Sequence, residues 1–128
     1  MKAIGEEYKE QIIEYALSLP GGSSDCPFEE DFDTTVLRHK GNGKWFGLLM
    51  KTRANRFFPD KEGEIEVLNL KIDPEEGIVY REMFGDIRPA YHMNKRMWIS
   101  VLLTGEVPFE VICRLILKSY TLTAQRKR

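Results

Sequence analysis

The stretch Asp86-Ile87-Arg88-Pro89-Ala90-Tyr91-His92-Met93-Asn94-Lys95-Arg96-Met97-Trp98 gathers an imidazole, a phenol, an amide, an ammonium, guanidinium groups and an indole into one connection. Arg88, Lys95 and Arg96 supply positive charge, and Tyr91, His92 and Trp98 set flat rings among them. That pairing suits a ligand that is at once anionic and planar, which makes nucleic acid the first candidate. Connections carried by a rigid scaffold are where binding residues concentrate. The same residues have a plainer use. His92 and Asn94 can satisfy backbone groups in a tight turn, Tyr91 and Trp98 can be core aromatics with one polar edge, and Lys95 and Arg96 can face water.

Other chemistry has weaker footing. The two histidines, His39 and His92, stand in no pattern that ties either to a nucleophile, so the expectation is a binding module and not an enzyme. Cys26 and Cys113 lie far apart, outside any Cys/His spacing that builds a zinc site, and Cys113 sits among apolar residues as a small hydrophobe. No cofactor is implied. Asp25, Glu29, Glu30, Asp31 and Asp33 form an acidic stretch, but the spacing of a calcium loop is absent. A basic stretch follows it, with Arg38, Lys40, Lys44, Lys51, Arg53 and Arg56. The net charge of -1 sets up no field over the whole molecule, so attraction to a polyanion must come from such local asymmetry.

The elements that must position these groups are legible from periodicity. Ile4, Tyr8, Ile12, Tyr15, Ala16 and Leu19 recur at helical spacing with glutamates and a lysine between them, and Pro20-Gly21-Gly22 ends that helix. Residues Thr34 to Lys40 and Lys44 to Lys51 read as strands joined by Gly41-Asn42-Gly43, where Asn-Gly predicts a type I′ hairpin. No phosphate-loop pattern surrounds these glycines. After a basic, aromatic connection from Thr52 through Asp60, a third strand spans Glu64 to Ile72. Its apolar parity switches between Val67 and Leu68, which predicts a bulge or burial on both faces. Asp73-Pro74-Glu75-Glu76 opens a short helix that Gly85 is expected to close. Met97 to Leu103 is a further strand with Trp98, Ser100 and Leu102 on one face, and after Gly105 and Pro108 a last helix presents Val111, Ile112, Leu115, Ile116 and Tyr120. Gln125 to Arg128 reads as a frayed basic tail.

The predicted order is helix, three strands, helix, strand, helix: one α+β domain over 1-128, a two-layer sandwich with helices packed on one face of an antiparallel sheet. A chain of 128 residues, 42% hydrophobic and 30% charged, is long enough to bury one core and too short for two ordinary domains. The acidic opening and the lack of a long apolar run predict a cytoplasmic protein with no membrane partner.

Pro89-Ala90-Tyr91-His92-Met93-Asn94-Lys95-Arg96 followed by Trp98, with Asn69-Leu70-Lys71-Ile72-Asp73-Pro74-Glu75 before it and Val107-Pro108 through Ser119-Tyr120 after it, resembles the MmcQ/YjbR family. The opening helix ending in Leu19-Pro20-Gly21, the Pro27-Phe28 pair and the Gly43-Lys44 hairpin are similar as well, so the likeness spans nearly the whole chain. The resemblance implies a fold like that of the bacterial frataxin homologue CyaY and a DNA-binding role through paired β-hairpin wings. Fold follows from such kinship more firmly than function does. Three readings are carried forward. In the first, Lys40, Lys44, Arg88, Lys95 and Arg96 grip the phosphates of DNA. In the second, Tyr91, His92, Asn94 and Trp98 line a site for a small anion or a protein partner. In the third, drawn from frataxin-like folds, Glu6, Glu7, Glu10 and Glu14 on the first helix hold a metal.

Overall fold

The computed structural model describes residues 4–28, 34–91 and 93–124, with the side chains of residues 4–7 excepted. His92, the acidic residues Glu29, Glu30, Asp31 and Asp33, the carboxylates of Glu6 and Glu7 and the tail from Gln125 to Arg128 therefore lie outside the described residues.

Among the described residues nine principal elements follow in order: α1 (Ile4–Ser18), β1 (Gly22–Asp25), β2 (Thr35–His39), β3 (Trp45–Arg53), β4 (Glu64–Lys71), α2 (Pro74–Met83), β5 (Ile87–Pro89), β6 (Trp98–Leu102) and α3 (Phe109–Thr123), with a 3-10 turn at Ala54–Arg56. The strands form one antiparallel sheet in the order β1-β2-β3-β4-β6-β5. The expected α+β sandwich is confirmed, and two short strands, β1 and β5, extend the sheet at its edges.

One face of the sheet carries the helices. Leu37, Phe46, Leu49, Leu68, Leu70, Ile99 and Val101 pack there against Ile12 and Ala16 of α1 and Ile112, Leu115 and Ile116 of α3. Each fully buried large apolar side chain stabilises the fold by roughly 1.5–3 kcal/mol relative to exposure. The helix α2 joins the same layer, because a Cβ added at Gly77 would stand 3.2 Å from Ile72 and 3.8 Å from Ile99. Asp73 caps α2 as expected, its carboxylate accepting from the Glu75 N–H at 3.0 Å with Pro74 at the first turn. The stop differs from expectation. The helix ends at Met83 with the half-buried Phe84, extended at φ −129°, as its C-cap, and Gly85 follows without the positive φ of a glycine cap.

The start of β1 is set by close approach. A side chain at Gly22 would place its Cβ 2.2 Å from the Ala16 carbonyl oxygen, so only glycine lets the chain turn directly beneath the end of α1.

The β2–β3 connection is a hairpin, but a wider one than a two-residue Asn-Gly turn. His39 N–H donates to the Lys44 carbonyl and Gly43 N–H donates to the His39 carbonyl, both at 2.9 Å, and Gly43 holds φ 73°. Asn42 is diverted to side-chain work: its Oδ1 accepts from Lys44 N–H at 2.8 Å, and its Nδ2 donates to the Thr123 carbonyl at 3.0 Å. The tip is thereby fastened to the end of α3.

Candidate functional site

The site is built on the face of the sheet that carries no helix. Val67, Asn69 and Lys71 of β4 point there, in register with Met50 and Leu48 of β3 and with Leu102, Ser100 and Trp98 of β6. Val67, Asn69, Ser100 and Leu102 are nonetheless fully buried. Burial on both faces, one of the two explanations for the parity switch in β4, is the correct one.

Two connections cross this face. The β2–β3 turn and the β5–β6 connection leave the sheet at one end, whereas the β3–β4 connection leaves at the other, after Arg53. Asn69 and Ser100 hold the β5–β6 connection, the first of the two, down. Ser100 Oγ donates to Asn69 Oδ1 at 2.5 Å and accepts the Tyr91 N–H at 2.8 Å, while Asn69 Nδ2 donates to the Tyr91 carbonyl at 3.2 Å. Both polar atoms of the Tyr91 backbone are therefore met by two side chains that show no exposure. Buried polar groups survive only when paired in this way.

The second connection is closed by the Ala54 N–H donating to the Gly63 carbonyl at 2.8 Å, with Ala54 buried. It presents Arg56, Phe57, Phe58 and Lys61 to the first. The Phe57 and Tyr91 rings meet edge to face at 5.9 Å. The Arg56 guanidinium lies 5.6 Å from the centre of the Tyr91 ring, that of Arg88 lies 5.9 Å from Phe57 and 5.3 Å from Phe58, and the Lys61 ammonium lies 5.1 Å from Phe58. Each such contact contributes about 0.5–1 kcal/mol at an exposed position. Among the described residues, the ion pairs Arg38–Asp25 and Lys118–Glu76 involve none of these three cations. No carboxylate of the described residues is paired with these cations, which stand beside half-buried rings.

The site residues expected from sequence divide. Arg88 and Tyr91 come together in this cluster. Trp98 lies half-buried on the same face, in register with Lys71. Lys40, Lys44 and Arg96 are exposed near the end from which the β5–β6 connection departs. Asn94 and Lys95 serve their own loop: Asn94 Oδ1 accepts from the N–H groups of Arg96 and Met97 at 2.9 and 3.1 Å, and Lys95 Nζ donates to the Ala90 carbonyl at 2.8 Å. His92 is outside the described residues. Arg56, Phe57, Phe58 and Lys61 were not singled out as site residues from sequence. Arg56, Phe57 and Phe58 fall in the basic, aromatic connection from Thr52 through Asp60, Lys61 lies just beyond it, and periodicity says nothing about a loop folding back onto a sheet.

The remaining reactive groups are committed elsewhere. His39 is buried between Phe46 and Tyr120, with ring centroids 5.0 and 4.6 Å away, and its Nε2 lies 2.9 Å from Thr123 Oγ1. The Thr123 hydroxyl donates to the Ser119 carbonyl at 2.8 Å, so the ring N–H is the donor in that pair. Desolvation lowers the His39 pKa, the nearby Lys44 charge lowers it further, and a hydrogen bond with the Tyr120 backbone opposes both. Burial pushes the Cys113 thiol up, away from a reactive thiolate. No group of three or more His, Cys, Asp or Glu residues is placed to hold a metal among the described residues. A groove of about 460 Å³ between α2 and α3 is lined by Val79, Tyr80, Met83, Phe84 and Val111, on the helix-bearing side; none of the expected site residues borders it.

A family model, YjbR, matches residues 17–122. The chain belongs to the YjbR family. It is 40% identical over 116 residues to the Bacillus subtilis protein YyaQ, covering 90% of this chain and 97% of that one. It is 26% identical over 111 residues to YjbR of Escherichia coli strain K12, covering 86% and 81%. A crystal structure of a Pseudomonas syringae protein matches the fold with a TM-score of 0.83 at 38% identity, over 90% of this chain and 97% of that one. The Deinococcus radiodurans protein DR2400 matches with a TM-score of 0.72 at 27% identity, over 92% and 79%. No helix among the described residues is long and apolar enough to cross a membrane.

Proposed function

We propose that this YjbR-family chain is a nucleic-acid-binding module, not an enzyme, and that it binds through the helix-free face of its sheet. The observation that carries the reading is the cation–aromatic cluster of Arg56, Lys61 and Arg88 against Phe57, Phe58 and Tyr91, whose charges have no carboxylate partner among the described residues. Phosphates take up such charges, and rings beside them offer stacking surface to bases. Lys40, Lys44 and Arg96, exposed near one end of the sheet, extend the basic surface. The DNA role implied by the family resemblance points to the same ligand.

Fluorescence anisotropy with labelled DNA at about 50 mM salt tests it. Binding is expected to weaken as salt rises, and Arg88→Glu is expected to lower affinity at least tenfold while leaving the circular dichroism spectrum unchanged. Lack of binding by the wild-type chain at low salt would reject the proposal.

A further inference from the structure

We infer that the preferred ligand of this face is a single-stranded polynucleotide and not a duplex, an inference that rests on the nucleic-acid reading just given. In a duplex the flat faces of the bases are stacked on one another, so rings on a protein have nothing to stack against without prying the helix open. A single strand offers every base face, and stacking on aromatic rings or guanidinium planes is its common mode of recognition. The cluster supplies both: the rings of Phe57, Phe58 and Tyr91, and the guanidinium groups of Arg56 and Arg88 laid over them.

Among the described residues, this surface carries none of the elements that read a duplex. Base edges in the major groove are reached by a projecting helix or a two-stranded ribbon. The three helices of the described residues lie on the other side of the sheet. The β3–β4 ribbon ends in the connection that lies folded against the sheet, and the β2–β3 hairpin does not stand free either: Asn42 Nδ2 donates to the Thr123 carbonyl at 3.0 Å, and His39 pairs with the Thr123 hydroxyl one residue before the turn. A tip fastened to the last turn of α3 is a poor wing. The cluster itself consists of a 3-10 turn and two connections pressed onto the strands, a shape over which a flexible strand can be draped.

The test compares, for the wild-type protein at one salt concentration, fluorescein-labelled single-stranded DNA, single-stranded RNA of the same sequence, and the matching DNA duplex. At least tenfold tighter binding of either single strand than of the duplex is expected, and the DNA and RNA arms identify the sugar. Phe58→Leu and Tyr91→Leu, each checked for an unchanged thermal midpoint, should weaken single-strand binding by roughly fivefold or more per ring. An oligonucleotide carrying 2-aminopurine should change its fluorescence on binding the wild type and less so on binding these variants. Equal or tighter duplex binding overturns the inference and leaves the nucleic-acid reading standing. Single-strand affinity unmoved by both ring substitutions also overturns it, since the grip would then be on phosphates alone. Failure to bind all three ligands removes both.

Discussion

Asn69 shows how much of this site depends on one amide. It sits wholly buried in the middle of β4, takes the Ser100 hydroxyl proton on Oδ1 and gives Nδ2 to the Tyr91 carbonyl. Asn69→Leu keeps the volume and deletes these bonds together with the Nδ2 contact to Met50 Sδ at 3.7 Å, leaving the buried Ser100 hydroxyl short of an acceptor at a cost of about 1–3 kcal/mol. Urea denaturation should show that loss as a lower midpoint, whereas Lys44→Ala at the exposed turn should stay within about 0.5 kcal/mol of wild type. A second residue-scale prediction concerns His39. Desolvation holds its pKa below the usual 6.5 in the folded state. The unfolded chain therefore binds the proton first as pH falls, and stability present above that value declines below it. Thermal midpoints measured between pH 7 and 5.5 should fall more for wild type than for His39→Gln; equal declines would show that this ring is not responsible. Neither residue was legible as such. In the sequence Asn69 stands out only through the family resemblance, and His39 only as a histidine with no nucleophile to serve, because a cross-strand partner or one from a distant helix leaves no local spacing to read.

The principal elements were legible where they bury a periodic face, and lost where they do not. The helix α1, the strands β2, β3, β4 and β6 and the last two helices follow from apolar spacing. Strand β1, Gly22-Ser23-Ser24-Asp25, contains no large apolar residue, and β5 has three residues. Both exist because the neighbouring strand offers unpaired backbone groups, a cause that lies in the partner and not in their own composition. The hairpin tip illustrates the same limit. Asn-Gly predicted a tight turn, but the Thr123 carbonyl competes for the Asn42 amide and a wider turn results. Asn42→Ala removes that bond and the acceptor for Lys44 N–H, and should lower stability by about 1–2 kcal/mol. Amide hydrogen exchange should quicken at Lys44 and at the end of α3, while the β4–β6 pairing keeps its protection. Uniform exchange throughout would mean that the tip is not an independent clamp.

At the scale of the whole molecule, the sheet divides the chain into two surfaces with different tasks. One is covered by helices and supplies the core; the other is covered by connections and gathers cations. Because the net charge is only -1, the rest of the protein adds little long-range attraction for a polyanion, and the salt response must reflect the local cations alone. Apart from Lys95, whose Nζ is tied to the Ala90 carbonyl, the exposed or ring-stacked candidates are Lys40, Lys44, Arg56, Lys61, Arg88 and Arg96. Each phosphate neutralised on a single strand contributes about −0.7 to the slope of log affinity against log salt, so full use of these six cations gives a slope of roughly −4 and partial use a shallower one. Arg88→Ala should make the slope shallower by about 0.7, and Phe58→Leu should lower affinity with the slope unchanged, since a lost stacking contact releases no counterion. A titration series from about 50 to 300 mM salt measures all three quantities. A wild-type slope much steeper than −4 would require more phosphate contacts than these six cations supply, and the binding surface would then have to reach beyond them.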